Sequence, residues 1–170
     1  VKTHFVKKLN DREMLVKSLK IIPVEVVLRN IAAGSLCKRL GIEEGLILKK
    51  PILEFFYKSD PLGDPMINEC HVDVFDWATK QEVEILKSEG IRINNLMIKF
   101  FEERNIRLVD FKLEFGRHNG EVMLGDEISP DGCRLWHLET NEKMDKDRFR
   151  FNLGSVEEKY QQVYDLICTP

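Results

Sequence analysis

The fold is decided by residues 108–115, which read LVDFKLEF. Side chains alternate between the two faces of a β-strand. One face of this stretch is apolar and the other is charged: Val109, Phe111, Leu113 and Phe115 against Asp110, Lys112 and Glu114. The apolar set predicts a face packed on a core. By pattern alone, the charged set is more typical of the solvent side of a sheet.

A second strand is predicted directly afterwards, because Asn119-Gly120 is a tight-turn signal. A two-residue loop would place Glu114 and Asp126 on opposite faces, whereas a three-residue loop with a left-handed Gly120 keeps them together. We predict the three-residue loop, with the two carboxylates about 5–8 Å apart. Such a pair repels unless a cation lies between them, and Mg²⁺ binds oxygen ligands of this kind. Lys112 on the same face would add a positive charge for an anion.

The remaining pattern predicts strands before this hairpin and helices around it. The predicted strands are Met14–Lys20 and Val24–Arg29, with a turn or edge at Pro23, and Leu46–Lys58, interrupted at Pro51. The predicted helices run from Ser35 to Leu40, from a capping box at Thr79 with a kink allowed at Gly90, and from a capping box at Ser155. In the second helix, the predicted apolar stripe comprises Val83, Leu86, Ile91, Ile93, Leu96, Met97, Phe100 and Phe101. The fold class is α+β, with a central, mostly antiparallel sheet flanked by helices.

Composition narrows the function. A formal charge of −3 argues against a protein that coats nucleic acid, and no apolar run is long enough for a membrane span. The four cysteines form no C-x-x-C pair, which favours reduced thiols and a cytoplasmic protein. A zinc site at Cys70-His71 with Cys133 and His137 is rejected, because the spacing is irregular.

Several motifs in order resemble the SAICAR synthetase family, the phosphoribosylaminoimidazole-succinocarboxamide synthases. They are residues 108–116 (LVDFKLEFG), 22–35 (IPVEVVLRNIAAGS), 64–69 (DPMINE), 125–131 (GDEISPD) and 144–150 (MDKDRFR). The resemblance implies a kinase-like, two-lobed ATP-binding architecture. Residues 1–30 would be the remainder of an N-terminal nucleotide-binding lobe, and residues 31–170 a C-terminal lobe that binds substrate and metal.

The resemblance also implies a reaction. A member of this family uses ATP to phosphorylate the carboxylate of the imidazole ribonucleotide CAIR, and L-aspartate then displaces phosphate to give the amide SAICAR. The partners would be ATP, CAIR and aspartate, with Mg²⁺ as cofactor and a second copy of the chain in a homodimer.

Site residues follow from the same resemblance. Glu114 and Asp126 would hold Mg-ATP, and Met14, Leu15 and Lys17 would line the adenine. The ribose phosphate would be bound by Arg29, Ser35 and Arg134, with further anion contacts from Lys146 and Arg150. Asp110 would either support Lys112 or bind the substrate. The groups around the reacting carboxylate and the amine would be Lys58, Asp64, Lys112 and Asp131.

Each of these residues also has an ordinary structural explanation. Arg29 at a strand end is commonly a surface ion-pair partner, and Ser35 a helix cap. Asp64 and Asp131 lie beside prolines, where turn residues are common, and residues 146–150 read as a solvated charge run. Only the ordered set of motifs favours the catalytic roles.

Two departures from the family pattern affect the expectation. The family begins with a further segment that includes a glycine-rich loop over the ATP phosphates, and we expect its absence here to limit catalysis. His137 stands where the family often has Asp. The alternatives are another kinase-like phosphotransferase, or a catalytically incomplete nucleotide-binding fragment.

Overall fold

The structure is a computed structural model that describes residues 1–145, 147 and 156–168. The predicted site residues Lys146 and Arg150 and the predicted cap Ser155 lie outside these ranges. In the described part, the strands are β1 (Phe5–Lys8), β2 (Met14–Val16), β3 (Lys20–Ile31), β4 (Ile47–Tyr57), β5 (Met66–Ile67), β6 (Ile106–His118), β7 (Glu121–Gly125) and β8 (Cys133–His137). The helices are α1 (Ser35–Leu40), α2 (Glu69–Val74), α3 (Lys80–Glu102) and α4 (Val156–Cys168). A 3₁₀ turn lies at Asp60–Leu62.

The strands form two sheets. β1 and β2 make a two-stranded antiparallel sheet, and six strands form the larger sheet, in the order β5-β4-β3-β6-β7 with β8 also paired to β6. β6 pairs antiparallel with β8 along its first half and with β7 along its second half. The predicted fold class, α+β with a mostly antiparallel central sheet, is confirmed.

The hairpin between β6 and β7 corrects one prediction. His118 pairs with Glu121 and Glu114 with Gly125, so the loop contains two residues, not three. Asn119 and Gly120 both have positive φ, 50° and 81°, which is the backbone that an Asn-Gly two-residue hairpin turn requires. The predicted register, with Asp126 opposite or diagonal to Glu114 on the same strand face, is therefore wrong.

The strand that carries the charged face is irregular at one point. Leu108 pairs with Leu135, but the next pair is Asp110 with Arg134, so Val109 is an extra residue in β6. A bulge of this kind changes which side chains meet across a strand pair. It places Asp110 directly opposite Arg134. The predicted apolar face is confirmed, since Val109, Phe111, Leu113 and Phe115 are all at most 2 % exposed.

Helix α3 begins as predicted and buries most, but not all, of the predicted apolar stripe. Thr79 Oγ accepts from the Glu82 backbone N–H, and Glu82 accepts from the Thr79 backbone N–H, which is a capping box. The helix runs through Gly90 as one element. Its buried side comprises Val83, Leu86, Ile93, Asn94, Met97 and Phe101, whereas Ile91, Leu96 and Phe100 are exposed.

The prolines do not interrupt their strands. β3 runs through Pro23, whose carbonyl accepts from the Lys58 backbone N–H, and β4 runs through Pro51. The predicted strand Met14–Lys20 is shorter, ending at Val16. Helix α1 agrees with the prediction, and Gly41 ends it in the left-handed conformation with φ 65°.

The chain divides into two compact units that alternate along the sequence. The first comprises Val1–Val27, Leu53–Gly90 and Leu113–Glu127, and the second comprises Leu28–Ile52, Ile91–Lys112 and Ile128–Pro170. Three strands and helix α3 contribute residues to both. The functional division predicted at residue 30 remains a prediction.

Two further predictions concern the cysteines and membrane-spanning segments. All four cysteines are free thiols. Among the described residues, no helix has the length and apolar character of a membrane span.

Candidate functional site

A buried group of charged side chains lies in the second unit. We name it the Arg134 cluster, and it comprises Arg29, Ser35, Asp110, Arg134 and Asp147. Arg29 donates from Nη1 to Asp110 Oδ2 at 2.8 Å and from Nη2 to Ser35 Oγ at 3.0 Å. Arg134 donates from Nη1 to both Asp110 oxygens, at 3.0 and 2.9 Å, and from Nε to Asp147 Oδ2 at 2.6 Å. The predicted phosphate-binding residues, Arg29, Ser35 and Arg134, are thus brought together around Asp110.

The fold positions this cluster from four elements. Arg29 lies near the end of β3, Asp110 on β6 and Arg134 on β8, while Ser35 is the first residue of α1. The bulge in β6 is what sets Asp110 across from Arg134. Asp110, which the strand pattern placed on a solvent face, is only 3 % exposed.

The electrostatics of the cluster are balanced. Two arginines face two aspartates, because a buried charge without a counter-charge is strongly unfavourable. Burial raises the pKa of the Asp110 carboxyl above its ordinary value, while the adjacent Arg134 and Arg29 guanidinium groups oppose that rise. Both arginines therefore hold their orientation through a carboxylate that is inaccessible to solvent.

Asp145 connects two backbone segments that carry members of the Arg134 cluster. It is fully buried, and it accepts from the Leu135 backbone N–H and the Asp147 backbone N–H, both at 2.8 Å. Burial raises its pKa to about 6, although these two backbone donors favour the ionised form. One carboxyl group thus connects the strand that carries Arg134 to the segment that carries Asp147.

A second group, the Glu114 cluster, lies in the first unit and comprises Lys58 and Glu114. Glu114 is 6 % exposed on β6, and its Oε1 accepts from Lys58 Nζ at 2.7 Å. Lys58 directly follows β4, and its side chain is 39 % exposed. Two residues that were predicted for separate roles therefore form an ion pair.

Asp126 is the first residue after the end of β7. β7 stops at Gly125, which faces Glu114, and Asp126 has φ 56°. A left-handed residue leaves the alternation of the strand, so the two-residue loop does not by itself decide where the Asp126 carboxylate points. Asp126 is exposed, whereas Glu114 is buried.

The donor chemistry of these two residues fits a magnesium ion shared with a nucleotide. Both offer carboxylate oxygens, and Mg²⁺ in such sites takes one or two protein carboxylates plus phosphate and water oxygens. Within the described ranges, no group of three or more His, Cys, Asp or Glu side chains could hold a metal.

Of the other predicted catalytic residues, Asp64 and Asp131 lie in loops and Lys112 lies on β6. Asp64 has φ 47°, and its Oδ1 accepts from the Ser59 backbone N–H at 2.8 Å. Asp131 accepts from the Tyr160 hydroxyl at 2.8 Å. Lys112 is half-buried on β6, and its backbone N–H donates to the Gly132 carbonyl at 3.0 Å.

The segment predicted to line adenine is an exposed edge. Met14 and Leu15 lie on β2 and are exposed by 51 % and 44 %. Lys17 follows β2, and its backbone N–H donates to the His4 carbonyl at 2.7 Å. Its Nζ lies 3.9 Å from Met123 Sδ.

Sequence reasoning missed Asp145 and Asp147. They stand in the stretch MDKDRFR, which reads as a solvated charge run. The available signal was the apolar Met144 directly before them, which is fully buried.

The fold and the two clusters define the class: an α+β protein whose mostly antiparallel sheet holds paired cations and carboxylates in a form suited to anionic ligands. The sequence model of the SAICAR synthetase family matches residues 1–167. The chain is 61 % identical over 163 residues to the phosphoribosylaminoimidazole-succinocarboxamide synthase of Pelodictyon phaeoclathratiforme, covering 96 % of this chain and 69 % of that relative. The chain belongs to the SAICAR synthetase family.

Solved structures agree with this assignment. A crystal structure of phosphoribosylaminoimidazole-succinocarboxamide synthase from Ehrlichia chaffeensis superposes with a TM-score of 0.96 at 51 % identity, covering 100 % of this chain and 73 % of that one. A SAICAR synthetase in complex with ADP gives a TM-score of 0.95 at 43 % identity, with 98 % and 72 % covered. The resemblance found in the sequence is confirmed.

Proposed function

We propose that this protein is an ATP-dependent ligase of purine biosynthesis that joins L-aspartate to the carboxylate of CAIR, giving SAICAR, ADP and phosphate. The observation that carries the proposal is the Arg134 cluster, in which Arg29, Ser35 and Arg134 converge, within a chain of the SAICAR synthetase family. The names of the relatives support the reaction, and the relative solved with ADP supports nucleotide binding.

The reaction balances in two steps. A carboxylate oxygen of CAIR attacks the γ-phosphorus of ATP, which forms an acyl phosphate and releases ADP. The amine of aspartate then attacks the acyl carbon, the C–O bond to phosphate breaks, and the amine loses a proton as the amide forms. Both steps bring anions together, so fixed positive charge must offset their repulsion.

In this proposal, the Arg134 cluster binds the ribose phosphate of CAIR. Ser35 accepts from Arg29, so its own hydroxyl hydrogen stays available to donate. Hydrogen bonds from the guanidinium groups of Arg29 and Arg134 to the phosphate would be charge-assisted, which is the stronger type. Asp110 fixes the two arginines, and Lys146 and Arg150 would add contacts to the substrate.

Glu114 and Asp126 would hold Mg²⁺ together with the phosphates of ATP, and the metal would supply neutralising charge to the transferred phosphoryl group. Lys58, paired with Glu114, would carry part of that charge. Lys112, Asp64 and Asp131 would surround the reacting carboxylate and the incoming amine. Met14, Leu15 and Lys17 would line the adenine.

Three finer points belong to the same proposal. The protein would act in the cytoplasm and as a homodimer. Efficient turnover would also depend on a glycine-rich N-terminal segment over the ATP phosphates, and this chain spans 69 % of the length of its relatives.

The test is a set of ADP-release assays in which Mg²⁺, CAIR and aspartate are omitted in turn. They should be run on this chain, with the full-length Pelodictyon relative as the positive control. We expect ADP release that requires all three, and an amide product whose mass equals CAIR plus aspartate minus water. Release that ignores aspartate would favour a kinase-like phosphotransferase, and nucleotide binding without turnover, under conditions where the relative turns over, would indicate a catalytically incomplete fragment.

A further inference from the structure

The guanidinium group of Arg134 is held on two of its three nitrogens. Of its five N–H donors, those on Nη1 meet Asp110 and the one on Nε meets Asp147. In the described part of the chain, no hydrogen bond reaches Nη2, and the Arg134 side chain is 16 % exposed. Among the described residues, Nη2 is therefore the part of the guanidinium group that a ligand could bind.

Gly34 lies next to the Nη2 end of Arg134. A Cβ atom at Gly34 would collide with Arg134 Nη2 and lie 2.7 Å from its Cζ, so a side chain there would displace the guanidinium group. The φ angle of Gly34, 55°, also favours glycine. The guanidinium group therefore lies close to the backbone that leads into Ser35.

The negative charge of Asp147 weakens the attraction of the Arg134 cluster for anions. Removing it would take one negative charge away from the cluster, which by charge alone would favour a phosphate. A carboxylate with 1 % side-chain exposure, 2.6 Å from Arg134 Nε, neutralises that arginine and also fixes the direction of its Nε edge. The Asp145 carboxyl, which binds the backbone of both Asp147 and Leu135, fixes Asp147 relative to the strand that carries Arg134.

We infer that Asp147 is a positioning residue for the reaction: it holds the Nε edge of Arg134, so that Nη2, beside Gly34 and Ser35, is directed at the phosphate of the substrate. Asp147 does not touch the substrate and acts through Arg134. The inference rests on the proposed function, because it takes Arg134 as a phosphate ligand.

The two explanations of Asp147 predict opposite changes in anion affinity when the residue is removed. If Asp147 were only a counter-charge, removing it would strengthen anion binding. If it positions Arg134, removing it weakens anion binding even though the net charge becomes more positive. The deciding variants are Asp147→Asn, which removes the charge, and Asp147→Glu, which keeps the charge but moves it by one methylene. The matched control is Asp165→Asn, at an exposed position on α4.

The first measurement needs no turnover. Inorganic phosphate is titrated into isotope-labelled protein while the Nε–H and Nη signals of Arg134 are followed by NMR. In the wild type we expect a slowly exchanging Nε–H and a phosphate-dependent Nη shift. In both Asp147 variants we expect faster Nε–H exchange and phosphate affinity weaker by about tenfold, the size of a lost charge-assisted hydrogen bond. Unchanged or tighter binding in either folded variant overturns the inference, as does a wild-type Arg134 that does not respond to phosphate.

The second measurement is steady-state kinetics. We expect the KM for CAIR to rise about tenfold in the variants, with kcat and the KM values for ATP and aspartate close to those of the wild type. A fall in kcat at unchanged KM overturns the positioning role. If the wild type shows no CAIR-dependent ADP release, the proposed function fails, while the NMR titration still decides how Asp147 acts on Arg134. If Asp147→Asn does not fold, Asp147→Glu decides alone, since it leaves no buried arginine without a counter-charge.

Discussion

Lys58 Nζ lies 2.7 Å from the buried carboxylate of Glu114, so the residue proposed as a metal ligand already has a cationic partner. Replacing Lys58 with Met should leave Glu114 with too little neutralising charge. We expect a loss of about 1–2 kcal/mol in the free energy of unfolding, less than for a fully buried pair because Lys58 is partly exposed. Urea denaturation of wild type and Lys58→Met measures it.

Mg²⁺ should restore part of that loss. A divalent cation at Glu114 would replace the missing ammonium, so MgCl₂ should raise the melting temperature of Lys58→Met more than that of the wild type. The double variant Lys58→Met, Glu114→Gln is the control, and it should not respond. Equal responses in all three proteins would remove Glu114 from the metal site.

Asp126 gives a separate test of the metal proposal. Asn tolerates the left-handed backbone that Asp126 adopts, so Asp126→Asn should keep the fold. It should lose Mg²⁺-dependent ADP release almost entirely, because an amide is a weaker ligand for Mg²⁺ than a carboxylate. Turnover and melting temperature are measured together. Wild-type kinetics in a folded Asp126→Asn protein would exclude Asp126 as a ligand.

Arg134 should affect one substrate more than the others. Arg134→Lys keeps the charge but cannot reach Asp110 and Asp147 at once. We expect the KM for CAIR to rise at least about tenfold while the KM for ATP changes little. Arg134→Ala is less suitable, because it would remove a cationic partner from two buried carboxylates, Asp110 and Asp147, and so lower the stability of the fold. An effect confined to ATP would contradict the assignment.

The end of α1, the start of α3 and the position of the hairpin could be predicted from sequence because their signals are local. The Thr79 capping box and Gly41 act within a few residues of themselves, and Asn119-Gly120 marked the turn between β6 and β7. The loop length was predicted wrongly because we chose it to bring Asp126 beside Glu114. The turn residues themselves favoured two residues, with both at positive φ.

The Arg134 cluster depended on information that is not local. Which residue faces Asp110 depends on an extra residue, Val109, in β6, and no pattern in residues 108–115 indicates a bulge there. The role of Asp147 depends on its burial, whereas a run of charged residues in a sequence predicts exposure to solvent. Family resemblance supplied Arg29, Ser35, Asp110 and Arg134, but neither Asp147 nor Asp145.

Glu82 and Arg117 join the start of α3 to the hairpin strand β6. Arg117 donates from Nε and Nη2 to the two oxygens of Glu82, and its Nη2 also donates to the Trp77 carbonyl at 3.1 Å. The hydrogen bond from Arg117 holds the pKa of Glu82 at about 2; burial opposes this, and Thr79 adds two further donors. Since the folded-state pKa lies below the ordinary value of 4.5, the stabilisation is complete above about pH 5 and is lost as the pH falls towards 2.

Glu82→Gln should therefore lower the free energy of unfolding by about 2–3 kcal/mol at pH 7, and by much less at about pH 3, where the wild type has lost most of the same contribution. Urea midpoints of both proteins at the two pH values measure the difference. Glu84→Gln, an exposed position on the same helix, is the matched control and should shift the midpoint little at either pH. A Glu82→Gln deficit that is equal at both pH values would mean that the contacts stabilise through packing alone, and that the charge of Glu82 contributes nothing.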